Sequence, residues 1–145
     1  MPKREKSIRV VIGKVGCDIH ERGALTLARA LRDAGMEVVY TGRYQTPEAV
    51  VSVAVQEGAD VLALSDHTGS MRLIASDVRK ALAKRGVPDI KVVAGGLIPA
   101  NDLPTLERMG VTGNFGPGTP LETIVEHVRS VARSHNRAAA TGVAD

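Results

Sequence analysis

A parallel α/β fold is what three observations in this sequence predict. Short apolar runs alternate with longer stretches whose apolar residues recur at helical spacing, and the pair repeats five times. Hydrophobic residues make up 43% of the chain but aromatics only 2%, so the core has to be built from Val, Leu, Ile and Ala, a mixture that suits strands buried on both faces. The 145 residues fit one domain with one core, and no repeat or change of composition marks a linker.

The elements follow in order. Ile8 to Ile12 reads as a buried first strand. From about Gly23 to Ala34, the residues Ala24, Leu27, Ala28 and Leu31 line one face of a helix that Gly35 stops. Met36 to Tyr40 is the second strand. Thr46-Pro47 supplies an N-cap and a first-turn proline for a second helix, whose inner face is Val50, Val51, Ala54 and Val55 and whose end is Gly58. The third strand, Val61 to Leu64, runs into Ser65-Asp66-His67-Thr68-Gly69. A third helix carries Met71, Ile74, Val78, Ala81 and Leu82 and closes at Gly86. Ile90 to Ala94 is the fourth strand, ending in Gly95-Gly96. A short helix near Asp102 to Met109 leads to Val111 and a brief fifth strand that ends at Phe115-Gly116-Pro117-Gly118. Thr119 and Glu122 stand at capping-box spacing ahead of a last helix that buries Leu121, Ile124, Val125, Val128 and Val131. Residues 1–6 read as a basic tail, 7–133 as the domain, and 134–145 as a disordered C-terminal tail without a packing pattern. Five such strands joined by right-handed crossovers give a doubly wound, flavodoxin-like sheet of order 2-1-3-4-5.

Composition excludes several functions. The net charge of +3 owes much to Lys3, Arg4, Lys6, Arg133 and Arg137 near the ends, and no basic stripe is interleaved with aromatics, so nucleic acid is not an expected partner. No apolar run approaches a signal peptide or a membrane span, so no membrane is expected and the cytoplasm is the expected compartment. One cysteine, Cys17, permits no internal disulfide, which fits a reducing compartment; it reads as a small packed side chain.

In a doubly wound sheet the ligand sits outside the carboxyl ends of the strands, where the strand order reverses. The loop Lys14-Val-Gly-Cys-Asp18-Ile-His20-Glu21-Arg22-Gly23 follows strand 1 on that edge, Ser65 follows strand 3, Gly95-Gly96 follows strand 4, and the Gly116-Pro117-Gly118 turn follows strand 5. His20 is the candidate metal ligand. A carboxylate on the far ring nitrogen fixes an imidazole's tautomer and raises its basicity, and Asp18 is spaced to provide one. Lys14 can pair with that carboxylate. A flavin is disfavoured, because this loop has no Ser or Thr for a phosphate and few aromatics are available to stack. A phosphoryl-accepting receiver site needs an acidic pair where Lys14 stands and a lysine after strand 5, which is absent. No Walker loop or dinucleotide fingerprint occurs.

A metal-centred cofactor remains, and here the sequence resembles the cobalamin (B12)-binding domain of base-off/His-on corrinoid enzymes, closest to the methylmalonyl-CoA mutase group. The resemblance is carried by Lys14 ahead of Asp18-x-His20-x-x-Gly23, by Glu21-Arg22-Gly23, Gln45-Thr46-Pro47-Glu48, Ser65, Gly95-Gly96-Leu-Ile-Pro99 and Phe115-Gly116-Pro117-Gly118-Thr119, and it spans about residues 7 to 133. It implies that His20 replaces the cofactor's own benzimidazole beneath cobalt and that Asp18 and Lys14 complete a relay. It implies that Ser65 meets the displaced nucleotide tail in a slot between strands 1 and 3, that Gly95 and Gly96 let the tail pass close to the backbone, and that Phe115, Gly116, Gly118 and Thr119 border the slot. It implies the small subunit of an adenosylcobalamin-dependent acyl-CoA mutase, an isomerase inactive alone, whose partner is a large acyl-CoA-binding barrel subunit. A corrinoid methyl carrier or a cobalamin sensor would use the same motif; a carrier commonly has a helical cap domain ahead of the fold, for which a first strand at about Ile8 is expected to leave no room, and a sensor would usually need a fused output or cap domain, which is not expected here. One departure stands out: the family's usual Ser-x-Leu after strand 3 is Ser65-Asp66-His67 here. His67 is a candidate cofactor contact, or it faces solvent. Another reading joins Asp18, His20, Asp66 and His67 in a divalent-metal site. His127 and His135 read as surface residues.

Overall fold

The computed structural model describes residues 7–140. Its elements are β1 (Arg9–Gly13), α1 (Arg22–Asp33), β2 (Glu37–Tyr40), α2 (Pro47–Glu57), β3 (Val61–Asp66), α3 (Met71–Lys84), β4 (Lys91–Gly96), α4 (Leu103–Arg108), β5 (Val111–Phe115) and α5 (Leu121–Ala140). A single 3-10 turn, Ala100–Asp102, leads into α4. The five strands form a parallel sheet of order β2-β1-β3-β4-β5, the expected flavodoxin-like arrangement.

Strand alternation divides the core. Val11, Leu62, Leu64 and Val92 pack with Val50, Val51 and Ala54 of α2, with Met71, Val78 and Leu82 of α3, and with Leu106 of α4. Val10, Ile12, Val61, Ala63 and Val93 turn the other way, toward Ala24, Ala28 and Leu31 of α1 and Val128 and Ala132 of α5. Helix α2 starts as its sequence foretells: the Thr46 hydroxyl accepts the Ala49 N–H at 3.0 Å, Pro47 opens the first turn, and Gly58 closes the helix at φ 62°.

Several boundaries differ from the sequence reading. Strands β3 and β4 each run two residues past the apolar stretch, because Ser65 pairs with Gly95 and Asp66 with Gly96 in the parallel ladder. Backbone pairing continued where side-chain pattern had stopped. Helix α5 continues to Ala140 instead of ending near Ser134; Ala138, Ala139 and Ala140 favour helix and nothing between breaks it. The basic tail 1–6 and residues 141–145 lie outside the described residues. The expected capping box is absent. Helix α5 begins at Leu121, one residue later than Thr119 requires, and the Thr119 hydroxyl donates to the Gly116 carbonyl at 2.7 Å instead. Leu121 is 39% exposed, not buried, and Cys17 points outward.

Candidate functional site

The loop after β1 is held by a pairing the sequence motif did not announce. Val15 forms a parallel bridge with Gln45, and the Gly16 N–H donates to the Gln45 carbonyl at 2.9 Å, so the segment ahead of Thr46-Pro47 pins the loop that carries His20 from the side. Lys14 is fully buried, as is the side chain of Asp18, and the Lys14 ammonium is ion-paired with Asp18 Oδ2. Its Nζ also lies 3.4 Å from the Ser65 carbonyl.

Asp18 joins two loops and the imidazole. Oδ1 accepts the His20 backbone N–H at 3.0 Å and faces His20 Nδ1 at 2.6 Å. Oδ2 takes the lysine and the His67 backbone N–H at 2.8 Å. Burial alone would push this carboxyl up, but the Lys14 ammonium and the donors from His20 and His67 outweigh it and hold the group well below the usual carboxylate range. A fixed anion on the inner ring nitrogen puts the proton there and turns Nε2 outward as a lone pair. The His20 side chain is 64% exposed, and no group among the described residues bonds its Nε2.

Beside His20 a slot of about 540 Å³ opens between the sheet and helices α1 and α5. Apart from Lys14 and Asp18, every other sequence-predicted cofactor residue lines it: Glu21, Arg22, Gly23, Ser65, His67, Gly95, Gly96, Phe115, Gly116, Gly118 and Thr119. Lys14 and Asp18 stand behind the mouth rather than in the wall. The slot exists because the strands supply little bulk on this side, with Ala63 and Ser65 on β3 and Val93 and Gly95 on β4. Gly96 is required by the backbone: its φ is +128°, and a Cβ there would overlap the Asp66 carbonyl oxygen. Glu21, at the head of α1, accepts the Tyr40 hydroxyl at 2.6 Å and pairs with Arg43 at 2.9 Å. Burial and that hydrogen bond raise the Tyr40 phenol well above its ordinary value.

Sequence reasoning missed the helical wall of Thr26, Leu27 and Ile124. Leu27 and Ile124 pack against the core as their helical spacing predicts, and both also line the slot. It also missed how Phe115 arrives. The ladder slips between Ala94 and Gly95, pairing Gly113 and then Phe115 and leaving Asn114 as an extra residue at φ 49°. That bulge turns Phe115 into the slot, where unbroken alternation would have put it on the opposite face.

Two alternatives are overturned. The Asp66 carboxylate accepts Thr68 N–H at 3.2 Å, Thr68 Oγ1 at 2.8 Å and Ser70 N–H at 2.9 Å, so it closes the turn into α3 from the far side of β3. Among the described residues no group of three or more His, Cys, Asp or Glu side chains could hold a metal ion, which removes the four-residue divalent site. His67 does not face solvent either: its ring stands 5.7 Å from that of His20 and its side chain is 26% exposed. His127 is not a free surface residue. It sits 2.8 Å from the Thr112 hydroxyl and packs edge-on to Phe115 at 5.4 Å, and burial lowers its pKa. The side chain of His135 lies outside the described residues.

One outward imidazole without companion ligands suits a metal that arrives already coordinated by a macrocycle, and a long slot next to it suits an elongated appendage. Residues 8–126 match the family model for the B12 binding domain. The chain belongs to the B12-binding domain family. This B12-binding domain is 43% identical over 124 residues to the 2-hydroxyisobutanoyl-CoA mutase small subunit of Aquincola tertiaricarbonis, covering 86% of this chain and 91% of that one. It is 39% identical to the pivalyl-CoA mutase small subunit of Xanthobacter autotrophicus, with 88% and 86% covered. Against the methylmalonyl-CoA mutase of Escherichia coli the identity is 36%, over 88% of this chain but 18% of that protein. Among solved structures, a cobalamin-binding protein from Desulfitobacterium hafniense superposes with a TM-score of 0.73 at 20% identity, over 87% of this chain and 60% of that one, a likeness of fold. Among the described residues no helix is long and apolar enough to cross a membrane.

Proposed function

We propose that this chain is the cobalamin-binding small subunit of an adenosylcobalamin-dependent acyl-CoA mutase, a cytoplasmic isomerase that works only with a separate large subunit holding the acyl-CoA in a barrel. The observation that carries the reading is His20, presented by a saturated, buried carboxylate at the mouth of a slot walled by small residues. Support for a small subunit comes from relatives of that description matched over nearly their whole length.

In this reading His20 Nε2 would hold the cobalt of the cofactor. Asp18 faces Nδ1 and fixes the orientation of the ring, and Lys14 pairs with the carboxylate from behind. Ser65, Gly95, Gly96, Phe115 and the turn Gly116 to Thr119 admit the nucleotide tail. Glu21, anchored by Tyr40 and Arg43, fixes the head of α1, where Arg22 and Gly23 form the opposite wall. When bound, adenosylcobalamin supplies the radical chemistry of a 1,2 carbon-skeleton shift. Ile19, Leu25 and Leu97 leave apolar surface exposed near this edge, which supports a cofactor and partner that cover it.

Absorption spectra of the purified chain with cobalamin test the ligation. The unsubstituted chain is expected to give the base-off, imidazole-ligated form and to isomerise no acyl-CoA until a large subunit is added. His20→Ala is expected to lose that form while keeping the far-UV circular dichroism of the fold. An unchanged spectrum in His20→Ala would remove His20 from the metal.

A further inference from the structure

His67 carries chemistry that the ligation of cobalt leaves unused. Strand alternation sends Ala63, Ser65 and His67 toward the slot in succession, with His67 nearest the mouth. Its Nδ1 is sealed from solvent and has no hydrogen-bond partner; the nearest acceptor, Asp18 Oδ2, is 3.6 Å away. The ring lies beside Gly23, where an added Cβ would make an ordinary contact of 3.7 Å with its Cε1. The anionic oxygen beside Nδ1 favours the tautomer with the proton on that nitrogen, leaving Nε2 as a lone-pair acceptor. No group among the described residues donates to Nε2. Most of the surrounding wall is apolar or glycine, including Leu27, Ala63, Val93, Gly95, Phe115 and Ile124, so few protein groups are at hand to answer it.

We infer that His67 is a specificity-determining residue of the slot, accepting through Nε2 a hydrogen bond from an O–H or N–H donor on the nucleotide tail of the cofactor. The inference rests on the proposed cobalamin function. An acceptor that a ligand covers on binding selects ligands that present the matching donor and rejects those that leave it unanswered. Two tail groups offer that chemistry, a ribose hydroxyl and an amino group on the lower base.

Three probes separate them: cobalamin, whose dimethylbenzimidazole has no amine; the adenine-bearing cobamide, which has both donors; and cobinamide, which lacks the nucleotide. Affinities by spectral titration are compared for the unsubstituted chain, His67→Leu and His67→Gln. His67→Leu is expected to weaken binding of a tailed cobamide roughly tenfold while leaving cobinamide unchanged, and His67→Gln, which keeps an acceptor, to recover most of the loss. A loss shared by cobalamin and the adenine cobamide assigns the ribose hydroxyl; a loss confined to the adenine cobamide assigns the base amine. Equal effects on all three probes, or none, overturn the inference. If the unsubstituted chain binds none of the three, the failure belongs to the cobalamin reading itself.

Discussion

The two faces of the sheet are cut from the same strands, yet one is closed and the other opens. On the closed face Leu62, Leu64 and Val92 meet three helices rich in Val, Met and Leu, with each of these packed to near-zero exposure. On the other face the alternate residues are Ala63, Ser65, Val93 and Gly95, and two helices cover them only toward the amino end of the strands. Smaller side chains at every second position withhold the volume that would otherwise fill the space beneath α1 and α5. One face is therefore filled and the other leaves a slot at its carboxyl edge, and a strand of six residues serves both.

Asp18→Ala would strain the comparison most, because it strikes the edge where both faces end. It leaves Lys14 buried without its anion and frees the loops of β1 and β3 from each other, a loss of roughly 3–5 kcal/mol that urea unfolding would read. The sign of its pH dependence follows. A carboxyl with a folded pKa below its unfolded value contributes stability that is present above the unfolded value, near 3.9, and fades as pH falls toward the folded one. Unfolding free energies measured from pH 6 downward should thus drop more steeply for the unsubstituted chain than for Asp18→Ala.

Next comes the closed face alone. Leu62→Ala removes a fully buried side chain and should cost about 2–5 kcal/mol by the same measurement, with the affinity of the remaining folded protein for cobalamin little changed. The slot face should give the reverse. A Cβ on Gly95 would stand 3.5 Å from the Phe115 carbonyl oxygen and 3.7 Å from its Cβ, ordinary contacts, so Gly95→Ala should alter stability by less than about 1 kcal/mol. Cobalamin titration should nevertheless find weaker binding, because the added methyl occupies slot volume. If Gly95→Ala unfolds the chain, or Leu62→Ala abolishes binding in folded protein, the division of labour between the faces is wrong.

Much of the fold was readable because periodicity, caps and glycine stops all agree along the chain. The alternation of β and α segments, the Thr46-Pro47 start of α2 and the switch from strand 1 to strand 3 each follow from local chemistry. The relay was readable too, since Asp18 and His20 are close enough in sequence to meet in a short loop. What sequence distance concealed was the second half of the site. Asp18 also holds the His67 amide, 49 residues away, and Gln45 braces the loop from another crossover. Only the parallel ladder, extended to Asp66 and Gly96, brings those partners together.

Side-chain direction at the slot was likewise beyond a linear reading. Phe115 reaches the slot through one bulged residue, Asn114, and Thr119 turns away from its helix because α5 begins a residue late. The chain's composition and spacing by themselves determined the alternation of strand and helix and the imidazole at the end of the first strand, since both follow from periodicity and spacing within a few residues. Which small residues face one another across the slot, and that His67 stands inside it, depended on strand register, where a slip of one residue moves a side chain to the other face.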